Sequence, residues 1–163
     1  MKKFINFIKY YEKIMKKIYS NFIIKNAKTW LNTKFCFFGR TKINNTNTGA
    51  IDCVGLILKV GEEINSTIQG KNIIFLDRKF YNKYPNKSEM KDFFDLYFIK
   101  IDKNELKAGD ILYMNFDNKI EHCAIFNGKT IIHCDISSNK VVENTLTPYW
   151  KEKIICYYRY PRN

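Results

Sequence analysis

The chain has 163 residues, 45% of them apolar and 16% aromatic, enough for one hydrophobic core but short for two, and unlike a disordered chain. Its 28 Lys and Arg against 16 Asp and Glu leave a formal charge of +12, which favours anionic neighbours such as nucleic acid, acidic lipid headgroups or an anionic envelope polymer. Five cysteines at 36, 53, 123, 134 and 156 form an odd set without a Cys-x-x-Cys pair, which argues against a zinc ribbon and against a secreted disulfide framework.

Residues 3–24 place apolar side chains at Phe4, Phe7, Ile8, Tyr11, Ile14, Met15, Ile18, Tyr19 and Phe22, with lysines mostly opposite. That is the three-or-four spacing of an amphipathic helix. The expectation is a helix packed on the core; weak contact with a membrane surface through residues 1–24, or docking of a partner helix, is the alternative. The same basic run is broken by Lys, Asn and Glu and lacks the continuous apolar core of a signal peptide, and no segment approaches the ~20 apolar residues of a membrane span. Synthesis in a reducing cytoplasm without a leader is therefore expected, and action outside the cell would need another route of delivery.

Another helical piece is predicted to about Leu31, followed by a polar loop, TKINNTNTGA, closing on Gly49. DCVGLILKVG reads as a short helix with Asp52 as cap, a buried face of Val54, Leu56, Ile57, Leu58 and Val60, and Gly61 at the exit. Residues 62–87 are ambiguous. From Ser88 the pattern turns helical again, with Phe93, Phe94, Leu96 and Tyr97 on the inner side. After LKAGD the period shortens, and five β-prone runs separated by turn signals predict an antiparallel meander. Helices first and strands afterwards make the fold class α+β.

Asn127-Gly128 lies between two of these runs and predicts a type I′ hairpin. In that register Ile125 faces Thr130, Cys123 faces Ile132, and His122 faces His133, with Cβ atoms roughly 4.5–5.5 Å apart. Cys123 and Cys134 fall on the opposite face, diagonal and roughly 7–8 Å apart, beyond the usual disulfide span. Adjacent strand residues point to opposite faces, so the four side chains cannot converge on one metal ion. What remains is a histidine pair, explained either by packing or by a general base held by a second ring.

A base of that kind calls for a nucleophile. Cys53 has the best setting, in the first turn of a helix behind Asp52, where the helix dipole and a nearby imidazolium would favour thiolate. Cys36 and Cys156, each among large apolar neighbours, look like buried, inert thiols.

Three motifs now resemble one family in the same order: IDCVGLIL its Asp-Cys-Ser-Gly-Leu signature, LKAGDILYM its Gly-Asp strand start, and EHCAIFNGKTIIHC its two-histidine hairpin. The family is that of the NlpC-type bacterial cell-wall cysteine peptidases. Upstream, WLNTKFCFFGR resembles its Trp-Leu-Gly-Thr-Pro-Tyr segment, and the ending PYWKEKIICYYRYP is most like compact members encoded by prophages and gene-transfer agents. The resemblance implies a papain-like core over residues 27–163, with residues 1–26 as a basic helical extension. It implies that Cys53 attacks an amide carbonyl, that His122 shuttles the proton, that His133 orients His122, and that the helix start at Asp52 and Cys53 helps to hold the oxyanion through the Cys53 N–H. No metal or organic cofactor is expected.

Departures from the family pattern are Val54 in place of Ser, Phe35 in place of a tyrosine that lines the site, and Lys34 and Asn32 in place of Pro and Gly. The expected substrate is a peptidoglycan stem peptide, and phage-tail proteins are the expected partners. Transfer of the acyl group to an acceptor other than water is an alternative that shares the same intermediate. A non-catalytic tail-assembly or nucleic-acid-binding module is another, although no specific nucleic-acid signature is present.

Overall fold

The computed structural model describes residues 2–77, 89–117 and 120–162. In chain order the elements are α1 (Lys2–Lys28), β1 (Arg40–Thr41), β2 (Ala50–Ile51), α2 (Cys53–Glu63), β3 (Thr67–Ile68), β4 (Lys71–Asn72), α3 (Glu89–Tyr97) and β5 (Ile99–Ile101). They continue with β6 (Ile111–Phe116), β7 (Ile120–Asn127), β8 (Thr130–Asp135), β9 (Lys140–Thr145), α4 (Pro148–Lys153) and β10 (Ile154–Arg159). Six strands form one antiparallel sheet in the order β5-β10-β6-β7-β8-β9. The fold is α+β, as expected.

The sheet is buried on both faces, and the period of two sorts its side chains. Ile111, Tyr113, Cys123, Ile125, Ile132, Cys134 and Val141 join the larger core with α2, Trp30, Ile73 and Phe94. Leu112, Met114, Ala124 and Ile131 face the other way, against Leu106, Phe126, Leu146 and Trp150. At the start of β6, Asp110 is buried and its carboxylate accepts from Arg159 Nε and Nη2 at 2.7 and 2.8 Å and from the Lys107 N–H at 2.8 Å. The Gly-Asp pair noted in the sequence thereby ties β6 to β10.

Strands β6 to β9 follow the expected meander, but β10 does not extend it: it pairs with β6 and β5. The outer side of β9 is already taken by residues 32–35. Asn32 N–H donates to Val141 O, Val141 N–H to Thr33 O and Phe35 N–H to Asn139 O, each at 2.9 Å. Asn32 holds φ at 67°, a left-handed conformation that asparagine tolerates better than most residues. The unexpected helix α4 carries the chain back from β9 to β10.

The two N-terminal helical pieces are one continuous helix. Among the described side chains, those of its last turns enter the core: Ser20, Ile23 and Ala27 are buried and Ile24 packs beside them, whereas Ile8, Tyr11, Ile14, Met15, Ile18 and Phe22 are exposed. Core packing of the stripe is thus corrected for these six residues, because the buried positions lie on another side of the helix, while Tyr19 does pack against the core; the side chains of Phe4 and Phe7 lie outside the described residues.

Three smaller expectations also change. Gly61 is not the exit of α2, which runs on to Glu63; it sits inside the helix, where a Cβ would come within 2.7 Å of Ile73 Cγ2. Leu96 is 70% exposed, and the inner side of α3 belongs to Phe94, stacked on Tyr158 at 5.2 Å, with Phe93 and Tyr97 packed beside it and Phe98 just beyond the helix. Cys36 is exposed rather than buried, while Cys156 is buried. The ambiguous stretch resolves into β3, β4 and a 3-10 turn at Ile73–Leu76; residues 78–88, including Ser88, lie outside the described residues.

Candidate active site

Helix α2 begins at Cys53 because Asp52 ends the preceding strand in an extended conformation and caps it. Asp52 Oδ1 accepts from the Gly55 N–H at 2.7 Å, and Oδ2 accepts from the Phe38 N–H at 2.6 Å. Arg40 holds the carboxylate from outside, with Nη1 at 3.1 Å from Asp52 Oδ1 and Nη2 at 2.9 Å from Asp77 Oδ1. The cap therefore satisfies an orphan helix donor, and the arginine spreads its charge over two carboxylates. Apolar residues on α2 then bury it against β7 and β8.

The hairpin departs from the predicted register. Its ladder pairs Asn127↔Thr130, Phe126↔Ile131 and Ile125↔Ile132, so Ile125 faces Ile132 instead of Thr130. The two residues between the ladder ends are Gly128 and Lys129; Gly128 alone takes positive φ, 74°, and the Lys129 N–H donates to Asn127 O at 2.8 Å, so the turn is not the type I′ expected at Asn127-Gly128, which needs positive φ at both central residues. Glu143 on β9 pins this arrangement, accepting from Asn127 Nδ2 at 2.7 Å and Thr130 Oγ1 at 2.6 Å. A shift of two keeps each side chain on its face. His122 and His133 therefore still share a face but are not directly opposed; their rings meet beyond the end of the ladder, His122 Nε2 lying 3.0 Å from His133 Nδ1.

Cys53 lies beside Cys123 and His122. Its pKa is lowered from 9.0 to about 5, first by the neighbouring Cys123 thiol and then by His122; burial and the Asp52 charge oppose the shift. Cys123 is itself held protonated, because burial and the neighbouring Cys53 sulfur push its pKa well up. His133 is buried, and burial together with the His122 charge lowers its pKa to about 3. At neutral pH the group thus contains a thiolate-forming sulfur, an imidazole beside it, and a second imidazole that stays uncharged. Alkylation of Cys53 by iodoacetamide, followed by peptide mass mapping, is expected to accelerate as pH rises through about 5 and level off above it, since thiolate is the reactive form. A rise only near 9.0 would rule out this environment.

Sequence reasoning missed three neighbours. Cys123, expected only to fall on the face opposite the histidines, has its thiol beside Cys53 and lowers its pKa. Asn144 on β9 places Nδ2 3.2 Å from His133 Nε2. Trp150 on α4 lies edge-on to His133, with ring centroids 4.9 Å apart, and 6.3 Å from His122. The last two come from strands or helices remote in sequence, and no local pattern marks them. Phe35 is half-buried, bridged through its backbone to Ile51 and packed on Phe37 with centroids 4.9 Å apart. Among the described residues, no group of three or more His, Cys, Asp and Glu side chains is arranged to hold a metal ion.

The sequence model of the NlpC/P60 family matches residues 33–159, a span that contains every element of the sheet and α2. The chain belongs to the NlpC/P60 family. This is a family of cysteine peptidases. No curated protein sequence matches the chain significantly. Solved structures resemble it in fold: an NlpC/P60 family protein from Bacillus cereus is 20% identical with a TM-score of 0.61, over 88% of this chain and 40% of that one. A lipoprotein-like NLP/P60 family protein from Staphylococcus aureus is 20% identical with a TM-score of 0.57, over 89% and 42%. The peptidoglycan hydrolase RipB from Mycobacterium tuberculosis is 13% identical with a TM-score of 0.57, over 90% and 67%. The chain spans about two fifths of the length of the first two. Within the NlpC/P60 fold, the substitution of Val54 for Ser falls on a buried position of α2, and Asn32 occupies the left-handed position where the family pattern has Gly.

Proposed function

We propose that the chain is a cysteine endopeptidase that hydrolyses amide bonds in peptidoglycan stem peptides, with residues 27–163 as the catalytic domain and 1–26 as an extension. One observation carries this reading: a thiol with its pKa lowered to about 5 lies beside an imidazole that is itself held at 3.0 Å by a second, uncharged imidazole. The cell-wall substrate rests on family membership and on the likeness to RipB, described as a peptidoglycan hydrolase. Carriage on a phage-like tail rests on the resemblance of the C-terminal segment to compact prophage members.

In this mechanism the Cys53 thiolate attacks the carbonyl carbon, and the developing oxyanion is met by the Cys53 N–H, one of the amides that a helix start leaves without an intrahelical acceptor. His122 gives its proton to the leaving amine as the C–N bond breaks. Water then attacks the thioester, His122 takes a proton from it, and thiolate is regenerated. Charged His122 needs an acceptor at Nε2. His133 supplies one from Nδ1 when its own proton is on Nε2, and that N–H donates to Asn144 when the amide turns its oxygen inward. His133 and Asn144 thus act as positioning residues.

The test is to incubate purified muropeptides with the protein under reducing conditions and weigh the products. Hydrolysis yields two fragments whose masses sum to the substrate plus one water, one with a new amine. Intact muropeptides would overturn the assignment, and products carrying an added amine in place of water would replace hydrolysis with acyl transfer.

A further inference from the structure

From Ile8 to Phe22, α1 presents an apolar stripe that the domain leaves open. Ile8, Tyr11, Ile14, Met15, Ile18 and Phe22 are each 37% to 56% exposed. Taking 100° per residue, the centre of this stripe lies roughly 150° around the helix from the positions that tie α1 down, Ser20, Ile23 and Ala27. The body therefore holds one side of the helix while the stripe points nearly the opposite way, and the helix cannot bury both on that body. Next to the seated positions, Arg162 from the C-terminal segment lies over the Tyr19 ring at 3.0 Å, adding a second tie between α1 and the domain.

The charge on this segment suggests what covers the stripe. Residues 2–18 contain six lysines, at 2, 3, 9, 13, 16 and 17, and one acid, Glu12, a net charge of +5 (six minus one). Lys9, Lys13, Lys16 and Lys17 are exposed. Pairing two such helices would bring like charges together, whereas an anionic surface neutralises them. No helix among the described residues is long and apolar enough to cross a membrane, so the geometry suits a helix lying in an interface.

We propose that α1 docks flat on an anionic phospholipid surface, with the Ile8-to-Phe22 stripe in the acyl boundary, the lysines reaching back to phosphates, and the domain held on the far side. This proposal is independent of the cell-wall reading. The full chain is to be sedimented with phosphatidylcholine vesicles, with and without phosphatidylglycerol, at low and high salt. Binding is expected to be about tenfold or more tighter with phosphatidylglycerol, to weaken with salt, and to be lost in an Ile14→Asp/Ile18→Asp variant whose melting temperature is unchanged because both positions are exposed. A Lys9→Glu/Lys13→Glu variant should lose the lipid preference. Equal binding to both vesicle types, binding unaffected by the double aspartate variant, or a stripe-dependent dimer in light scattering without vesicle binding would each overturn the proposal.

Discussion

Cys53→Ala is expected to lower kcat on muropeptides by about 10,000-fold or more, because in the proposed mechanism it removes the attacking atom and leaves only binding and oxyanion stabilisation. Cys123 cannot substitute for it, although its thiol lies beside Cys53: burial holds that thiol protonated, and it is carried by β7 rather than by the first turn of a helix. The sign of the pH dependence follows from the Cys53 value. Thiolate is present above about pH 5 and is lost as pH falls through it, so the acid limb of the wild-type profile should lie there. Urea denaturation should leave the variant close to wild type, since Cys53 is half-buried and carries no cap. If Cys53→Ala retained more than a few per cent of wild-type turnover, another group would have to be the nucleophile.

Asp52→Ala is expected to be the most damaging to stability among substitutions next to the site, by about 3–5 kcal/mol. Three donors lose their acceptor together: the Gly55 N–H at the helix cap, the Phe38 N–H, and Arg40 Nη1. The cap alone accounts for about 1 kcal/mol. The larger part comes from the buried carboxylate–guanidinium contact, where side-chain exposure is 3% for Asp52 and 12% for Arg40. Arg40 keeps Asp77 as a partner, which places the loss toward the lower end of the range. Asp52→Asn retains oxygen acceptance at the cap while removing the charge, so its loss should be smaller. Urea midpoints for the two variants measure the difference, and a loss below about 1 kcal/mol for Asp52→Ala would mean that Arg40 and the Phe38 N–H find other acceptors.

The start of α2 at Cys53 and the sharing of a face by His122 and His133 were both legible in the sequence, because each depends on short-range rules. An aspartate before an apolar helical run caps it, and the period of two assigns strand faces whatever the register, provided that any slip is even. The α+β class followed from the change of period after LKAGD. These features need no knowledge of which distant segment packs on which.

What the tertiary structure decided involves partners far apart in the chain. The hairpin register is set by Glu143, which holds both ends of the turn, and a local Asn-Gly signal cannot see a strand that arrives later. Strand β10 lies beside β6 because residues 32–35 occupy the edge of β9. The Cys123 thiol, the Asn144 amide and the Trp150 ring reach the site only once α2, β7, β9 and α4 have come together. The same holds for α1: its spacing announces an apolar stripe, but the direction that stripe faces is set by how Ile23 and Ala27 seat the helix on the domain. Periodicity along a segment fixes angles within it, whereas its orientation against the rest of the molecule is decided by non-local contacts.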